Sequence, residues 1–150
     1  MKCVIQRVSY AEVQVDETTV GAIGQGFLIL LGVEQGDTQA DADKLVRKIP
    51  NLRVFEDENG KMNVSCLDIG GEMLVVSQFT LCADCSHGRR PSFIGSAPPQ
   101  EAKMLYAYFS EALRSSGVKK VDNGVFGADM AVHLLNDGPV TIILDSKDLK

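Results

Sequence analysis

The stretch "FLILLGV", Phe27 to Val33, decides the architecture of this chain. It is an unbroken apolar run of strand length, preceded by the turn residues Gly24-Gln25-Gly26. A run with no polar alternation is a strand buried on both faces, which places it at the centre of a sheet with packing on either side. Upstream, Lys2 to Val15 is rich in β-branched residues and partly alternates, with Val4, Gln6 and Val8 on one face and Ile5, Arg7 and Ser9 on the other. It reads as one or two strands, and Val20 to Ile23 as a short one.

Downstream, Asp37-Thr38 supplies a cap for a helix whose Ala42, Leu45, Val46 and Ile49 keep helical spacing until Pro50 closes it. Leu52 to Phe55 reads as a strand, Asp57 to Gly60 as a turn, Glu72 to Leu81 as a strand and Ser86 to Ser96 as a loop. Pro98-Pro99 opens the longest helix, which runs to about Ser115 and ends at Gly117. Its expected apolar stripe is Met104, Leu105, Tyr108, Phe109, Ala112 and Leu113. Val118 to Leu144 reads as strands, the last two joined by a turn at Asn136 to Pro139 and both apolar enough to be well buried. The expectation is an α/β chain of the α+β type. Residues 1–150 form a single domain, with a curved, largely antiparallel or mixed sheet making a barrel-like core beside two main helices.

Composition narrows the function. The formal net charge of −5 argues against generic nucleic-acid binding, which comes from neutralising phosphates, but leaves room for one RNA end held by a local basic patch. Arg89-Arg90, Lys119-Lys120 and the Lys44, Arg47, Lys48 group are the candidate patches, each against the plainer reading of a solvated surface. No apolar run approaches the ~20 residues of a membrane helix, and Arg7 interrupts any signal-peptide core. The expected location is cytoplasmic, and the four cysteines are expected to be thiols.

Three stretches carry candidate chemistry. "EMLVVSQFTL", Glu72 to Leu81, ends in Ser77, Gln78 and Thr80 after a buried apolar run. One reading is a strand end emerging into solvent. The other makes Ser77 or Thr80 a nucleophile beside a hydrogen-bonding Gln78. A hydroxyl nucleophile needs a base, and the chain has two histidines, His87 in the following loop and His133 in an apolar run, neither with an evident acidic partner. A side-chain triad is not expected. Cys82-Ala83-Asp84-Cys85, followed by His87, reads either as a metal or redox site or as incidental thiols. The glycines of "GAIGQG" lack the Gly-Lys-Ser/Thr ending of a phosphate loop and serve turns. The third stretch is "LLNDGPVTIILD", Leu134 to Asp145, where Gly138-Pro139 is either a plain turn or a rigid piece of backbone built to touch something.

"SQFTL" at Ser77 to Leu81 and "NDGPVT" at Asn136 to Thr141 resemble the two signature motifs of the D-aminoacyl-tRNA deacylase family. "QRV" at Gln6 to Val8, "NLRVF" at Asn51 to Phe55 and "RPSF" at Arg90 to Phe93 extend the resemblance over the whole chain. Many members carry Tyr-Ala-Asp where this chain has Cys82-Ala83-Asp84. The resemblance implies a homodimeric enzyme that hydrolyses the ester between a D-amino acid, or glycine, and the 3′-terminal adenosine of tRNA. It needs no cofactor and no metal. Ser77, Gln78, Phe79 and Thr80 would form the catalytic site. Gly138 and Pro139, joined by a cis peptide, would enter the partner subunit's pocket to surround the substrate's α-carbon, with Arg7 bracing them. The implied chemistry suits a missing triad, since an aminoacyl ester is already activated and orientation with oxyanion hydrogen bonds can suffice. Two rivals stand beside this reading: a metal or thiol enzyme using Cys82, Cys85 and His87, and a non-catalytic module that binds an RNA end.

Overall fold

The computed structural model describes residues Met1 to Lys150. Eight strands and two α-helices follow in the order β1 (Lys2–Val15), β2 (Thr18–Ile23), β3 (Gly26–Gly32), α1 (Gln39–Lys48), β4 (Arg53–Glu56), β5 (Met62–Ser65), β6 (Glu72–Ser77), α2 (Pro99–Ser115), β7 (Val121–Asn123) and β8 (Ala131–Asp145). The main sheet has the order β2-β1-β3-β6-β7, with β8 along the other edge of β1, while β4 and β5 form a separate ribbon. β1 is antiparallel to β2, β3 and β8, whereas β3–β6 and β6–β7 are parallel. The mixed sheet expected from sequence is therefore present.

It curls toward closure. The Ala22 N–H donates to Asp122 Oδ2 at 2.9 Å, joining the β2 and β7 ends. Only a glycine at position 21 fits there, because a Cβ would lie 2.6 Å from the Asn123 carbonyl oxygen.

The reading of "FLILLGV" holds. On β3, Phe27, Ile29 and Leu31 face the larger core, while Leu28 belongs to a smaller cluster with Leu74 and Val76. The larger core also takes Leu45 and Ile49 from the α1 region and Tyr106, Phe109 and Leu113 from α2. β1 serves both clusters. Cys3 and Ile5 point into the larger core, but Val8, Ala11 and Val13 point into the smaller one. The change of parity falls at the irregularity between Val8 and Tyr10, where two steps along β1 face one along β8.

Four expectations need correction. The strand at Glu72 ends at Ser77, and Phe79–Cys82 is a 3-10 turn. Gly32 explains it, since Leu81 and Cys82 fold back onto the space where its side chain would stand. The α2 stripe is rotated: Ala102, Tyr106, Phe109 and Leu113 are buried, and Met104 is exposed. No hairpin forms at Asn136–Pro139. Both halves of β8 pair with β1, with Thr141 opposite Gln6 and Asn136 opposite Val8, so the intervening residues bulge out of one long strand. Nor are the flanks well buried, because Leu135 is 48% exposed and Ile143 75%.

Candidate active site

A cavity of about 750 Å³ opens where β3, β6 and the start of α2 converge. That is within the size range of small-molecule sites. Ser77, Gln78 and Phe79 form part of its wall, opposite Pro99 and Tyr106 on α2 and the segment Phe126 to Val132. Tyr106 is fixed by its hydroxyl, which donates to the Val75 carbonyl at 2.7 Å. Phe79, 57% exposed, meets Phe93 edge-on at 5.1 Å between ring centroids, so the rim is aromatic.

The 3-10 turn gives this wall its chemistry. Gln78 is still tied to the sheet, its N–H donating to Leu31 O at 2.8 Å. The next two residues open the turn, and the first N–H groups of a helical turn lack partners within it. The Phe79 and Thr80 N–H groups donate to no loop carbonyl and to no side chain. Two adjacent free donors beside a cavity can stabilise negative charge developing on a carbonyl oxygen.

Thr80 does not line the cavity directly, and its hydroxyl accepts from the Gln78 amide at 2.5 Å. No histidine or carboxylate hydrogen-bonds it. His87 instead pairs with the Ser86 hydroxyl at 2.8 Å, and His133 is exposed on β8 opposite Glu12. Thr80→Ala is therefore expected to keep measurable turnover in a single-turnover assay. Trapping an aminoacyl ester on Thr80 Oγ1 would contradict an orienting role.

Cys82, Cys85 and His87 are not brought together. No group of three metal-ligating side chains is positioned to hold an ion. Cys82 is buried, its thiol donating to Val33 O with Sγ at 3.6 Å, while Cys85 is exposed. Burial, reinforced by the Glu34 carboxylate, pushes the Cys82 thiol upward and keeps it neutral. The Cys82→Ser/Cys85→Ser double variant is expected to keep activity within about tenfold, ~1.4 kcal/mol in barrier. Loss of activity restored by added zinc would overturn that.

Arg7, Gly138 and Pro139 form a second cluster, apart from the cavity wall. Arg7 shares the β1 face of Cys3 and Ile5, so its side chain runs under β4 and is 5% exposed. One terminal nitrogen donates to Val54 O at 2.6 Å, and Nε reaches both the carbonyl and a carboxylate oxygen of Asp137, each at 3.1 Å. The guanidinium also lies 6.0 Å from the centre of the Phe55 ring. From the other side the Asn136 amide donates to Arg7 O and Val140 O, at 3.0 and 3.1 Å. The bulge is thus braced at both ends. Its middle, Gly138 and Pro139, is exposed, and the peptide between them is cis.

Sequence reading missed Phe126 to Met130, which contributes much of the far wall. The available signal was a phenylalanine and a methionine in a glycine-containing loop, where large apolar side chains need a surface to cover.

The D-Tyr-tRNA(Tyr) deacylase family model matches residues 4–145. The chain belongs to that family. A "D-aminoacyl-tRNA deacylase" of Geobacter sulfurreducens is 58% identical over 147 residues, covering 98% of this chain and 96% of the relative. One of Thermotoga petrophila is 57% identical over 149 residues, 99% of each. Among solved structures, "c-Myc DNA Unwinding Element Binding Protein" superposes with a TM-score of 0.91 at 46% identity, covering 97% of this chain and 98% of that one. A probable eukaryotic D-amino acid tRNA deacylase gives 0.82 at 16% identity over 96% and 98%, which bears on the fold alone. The family assignment agrees with the resemblance carried by "SQFTL" and "NDGPVT".

Proposed function

We propose that this protein hydrolyses the ester of D-aminoacyl-tRNA, releasing the free D-amino acid and intact tRNA, and spares L-aminoacyl-tRNA. The observation that carries the reading is the pair of free N–H groups at Phe79 and Thr80 beside the cavity, with no general base at the neighbouring hydroxyls. Water attacks the ester carbonyl. Its oxygen forms the new bond to carbon, and the oxyanion of the tetrahedral intermediate is held by the two N–H donors. The carbon–oxygen bond to ribose then breaks, and the departing 3′ oxygen takes the proton that the attacking water gives up, with the adjacent 2′-hydroxyl available to relay it. The work assigned to the protein is orientation and charge stabilisation.

The Gly138-Pro139 bulge supplies the stereochemical half of the proposal. It is exposed and rigidly braced, and it is separate from its own chain's cavity. Its strand also leaves Leu135 and Ile143 uncovered. A long edge strand with apolar side chains outward is a surface that proteins cover. We infer a two-fold dimer in which each chain's bulge enters its partner's cavity, a reciprocal arrangement that such symmetry permits. Backbone atoms there read the α-carbon and leave side-chain identity free, so glycine, with no side chain, is accepted as well. The reaction belongs in the cytoplasm, where charged tRNA is used.

The direct test follows release of tyrosine from D-tyrosyl- and L-tyrosyl-tRNA by the purified protein. Release from the D form with the L form at background is expected. Tight binding of D-tyrosyl-tRNA without turnover would instead establish an RNA-end binding module.

A further inference from the structure

We propose that the loop Cys85 to Pro91 is a phosphate clamp for the single-stranded end of the RNA substrate, with Arg89 and Arg90 gripping the backbone. The proposal rests on the ester-hydrolysis reading of the cavity. The loop is closed at its neck by a two-hydrogen-bond pair, Asp84 N–H to Ser92 O at 2.8 Å and Ser92 N–H to Asp84 O at 2.9 Å. Immediately beyond the neck, Phe93 enters the cavity rim against Phe79, and the Ser96 hydroxyl donates to Phe79 O at 3.4 Å. Arg90 is three residues from Phe93, so at most about 11 Å of chain separates them. A nucleoside seated in the cavity would leave its 5′ phosphate, and the one before it, within reach of these side chains.

Charge singles out the loop. The protein carries −5 overall, yet Cys85 to Pro91 holds two arginines and no acidic residue. The Asp84 carboxylate at the neck accepts the Ser86 N–H at 2.9 Å and makes no ion pair with either arginine. Arg89 and Arg90 are exposed and make neither an ion pair nor a hydrogen bond within the chain. The other basic groups differ. Lys120 lies 3.8 Å from Asp122, and Lys44, Arg47 and Lys48 stand on α1, which adds nothing to the cavity wall. A guanidinium left unpaired beside a binding cavity suits phosphate, whose oxygens it meets two at a time.

The experiment compares wild type, Arg89→Gln/Arg90→Gln and a control Lys44→Gln/Arg47→Gln/Lys48→Gln on two substrates. One is D-tyrosyl-tRNA and the other is the D-tyrosyl ester of adenosine, which has no phosphate. The loop variant is expected to raise KM for the tRNA about tenfold. It should also lower the slope of log(kcat/KM) against log[salt] by about 0.7 for each phosphate that the loop no longer neutralises. Hydrolysis of the adenosine ester should stay within twofold, and the control should match wild type on both. An unchanged salt slope, an equal loss on the adenosine ester, or an equal loss in the α1 control would overturn the clamp. Wild type inert toward both substrates would instead defeat the hydrolysis reading itself.

Discussion

Arg7→Met is expected to lower the stability of the folded chain by about 2–3 kcal/mol and kcat/KM by about 100-fold, measured where the variant remains folded. Both effects follow from the side chain's position. Methionine fills much of the volume under β4 but cannot donate to Val54 O, and a buried carbonyl left unpaired costs about 1–3 kcal/mol. The ion pair with Asp137 adds little by itself, because that carboxylate is 48% exposed and can regain water. The activity loss has a different origin. Arg7 Nε fixes the Asp137 carbonyl, and with it the residue before Gly138. A misplacement of about 1 Å in a positioning element can cost 10²-fold in rate. Arg7→Lys separates the two effects. It keeps a cation, but a point charge cannot span Val54 O and Asp137 O as the fork does. Recovered stability with kcat still depressed would identify Arg7 as a positioning residue, whereas parallel recovery of both would make its role purely structural.

Much of this fold was legible because local pattern and burial agree. "FLILLGV" announces a covered central strand, and β3 is one. Thr38 at the start of α1 is a cap by sequence and by structure, its N–H donating to the Asp41 carboxylate at 2.9 Å. The errors lie where distant partners decide. "NDGP" has turn chemistry, yet β8 does not turn back, because both its halves find hydrogen bonds on the one long strand β1. "QFTL" alternates like a strand, but Gly32 on the neighbouring strand leaves the space into which the chain coils. On α2, two adjacent stripes are apolar. Tyr106 decides between them, since its hydroxyl finds the Val75 carbonyl.

The candidate site was legible in its parts but not in its division. Ser77 to Thr80 and the Gly138-Pro139 segment stand out as motifs, and Arg7 as an early arginine inside a strand. Sequence alone does not show that Ser77, Gln78 and Phe79 line a cavity, with Thr80 just behind them, while the second set projects from the opposite edge of β1 as an exposed bulge. Nor does it reveal the Phe79 and Thr80 N–H groups as free donors, because that depends on the strand ending at Ser77.

The composite dimer is tested most directly by mixing two variants that are each inactive. Gly138→Val blocks the bulge: even a Cβ there lies 3.0 Å from Asn136 Oδ1, and in the proposed dimer the branched side chain would intrude on the partner's cavity. Phe79→Pro deletes one of the two free N–H groups, at the first position of a helical turn, where proline is tolerated. Losing one oxyanion donor costs about 10²–10³ in kcat, and the two variants are expected to be inactive at that level when assayed separately. After subunit exchange, a mixed dimer holds one cavity with both defects and one with neither. With random exchange half the dimers are mixed, and each has one good site of two, so activity should return to about a quarter of wild type. No recovery, with exchange demonstrated independently, would mean that each chain builds its site alone.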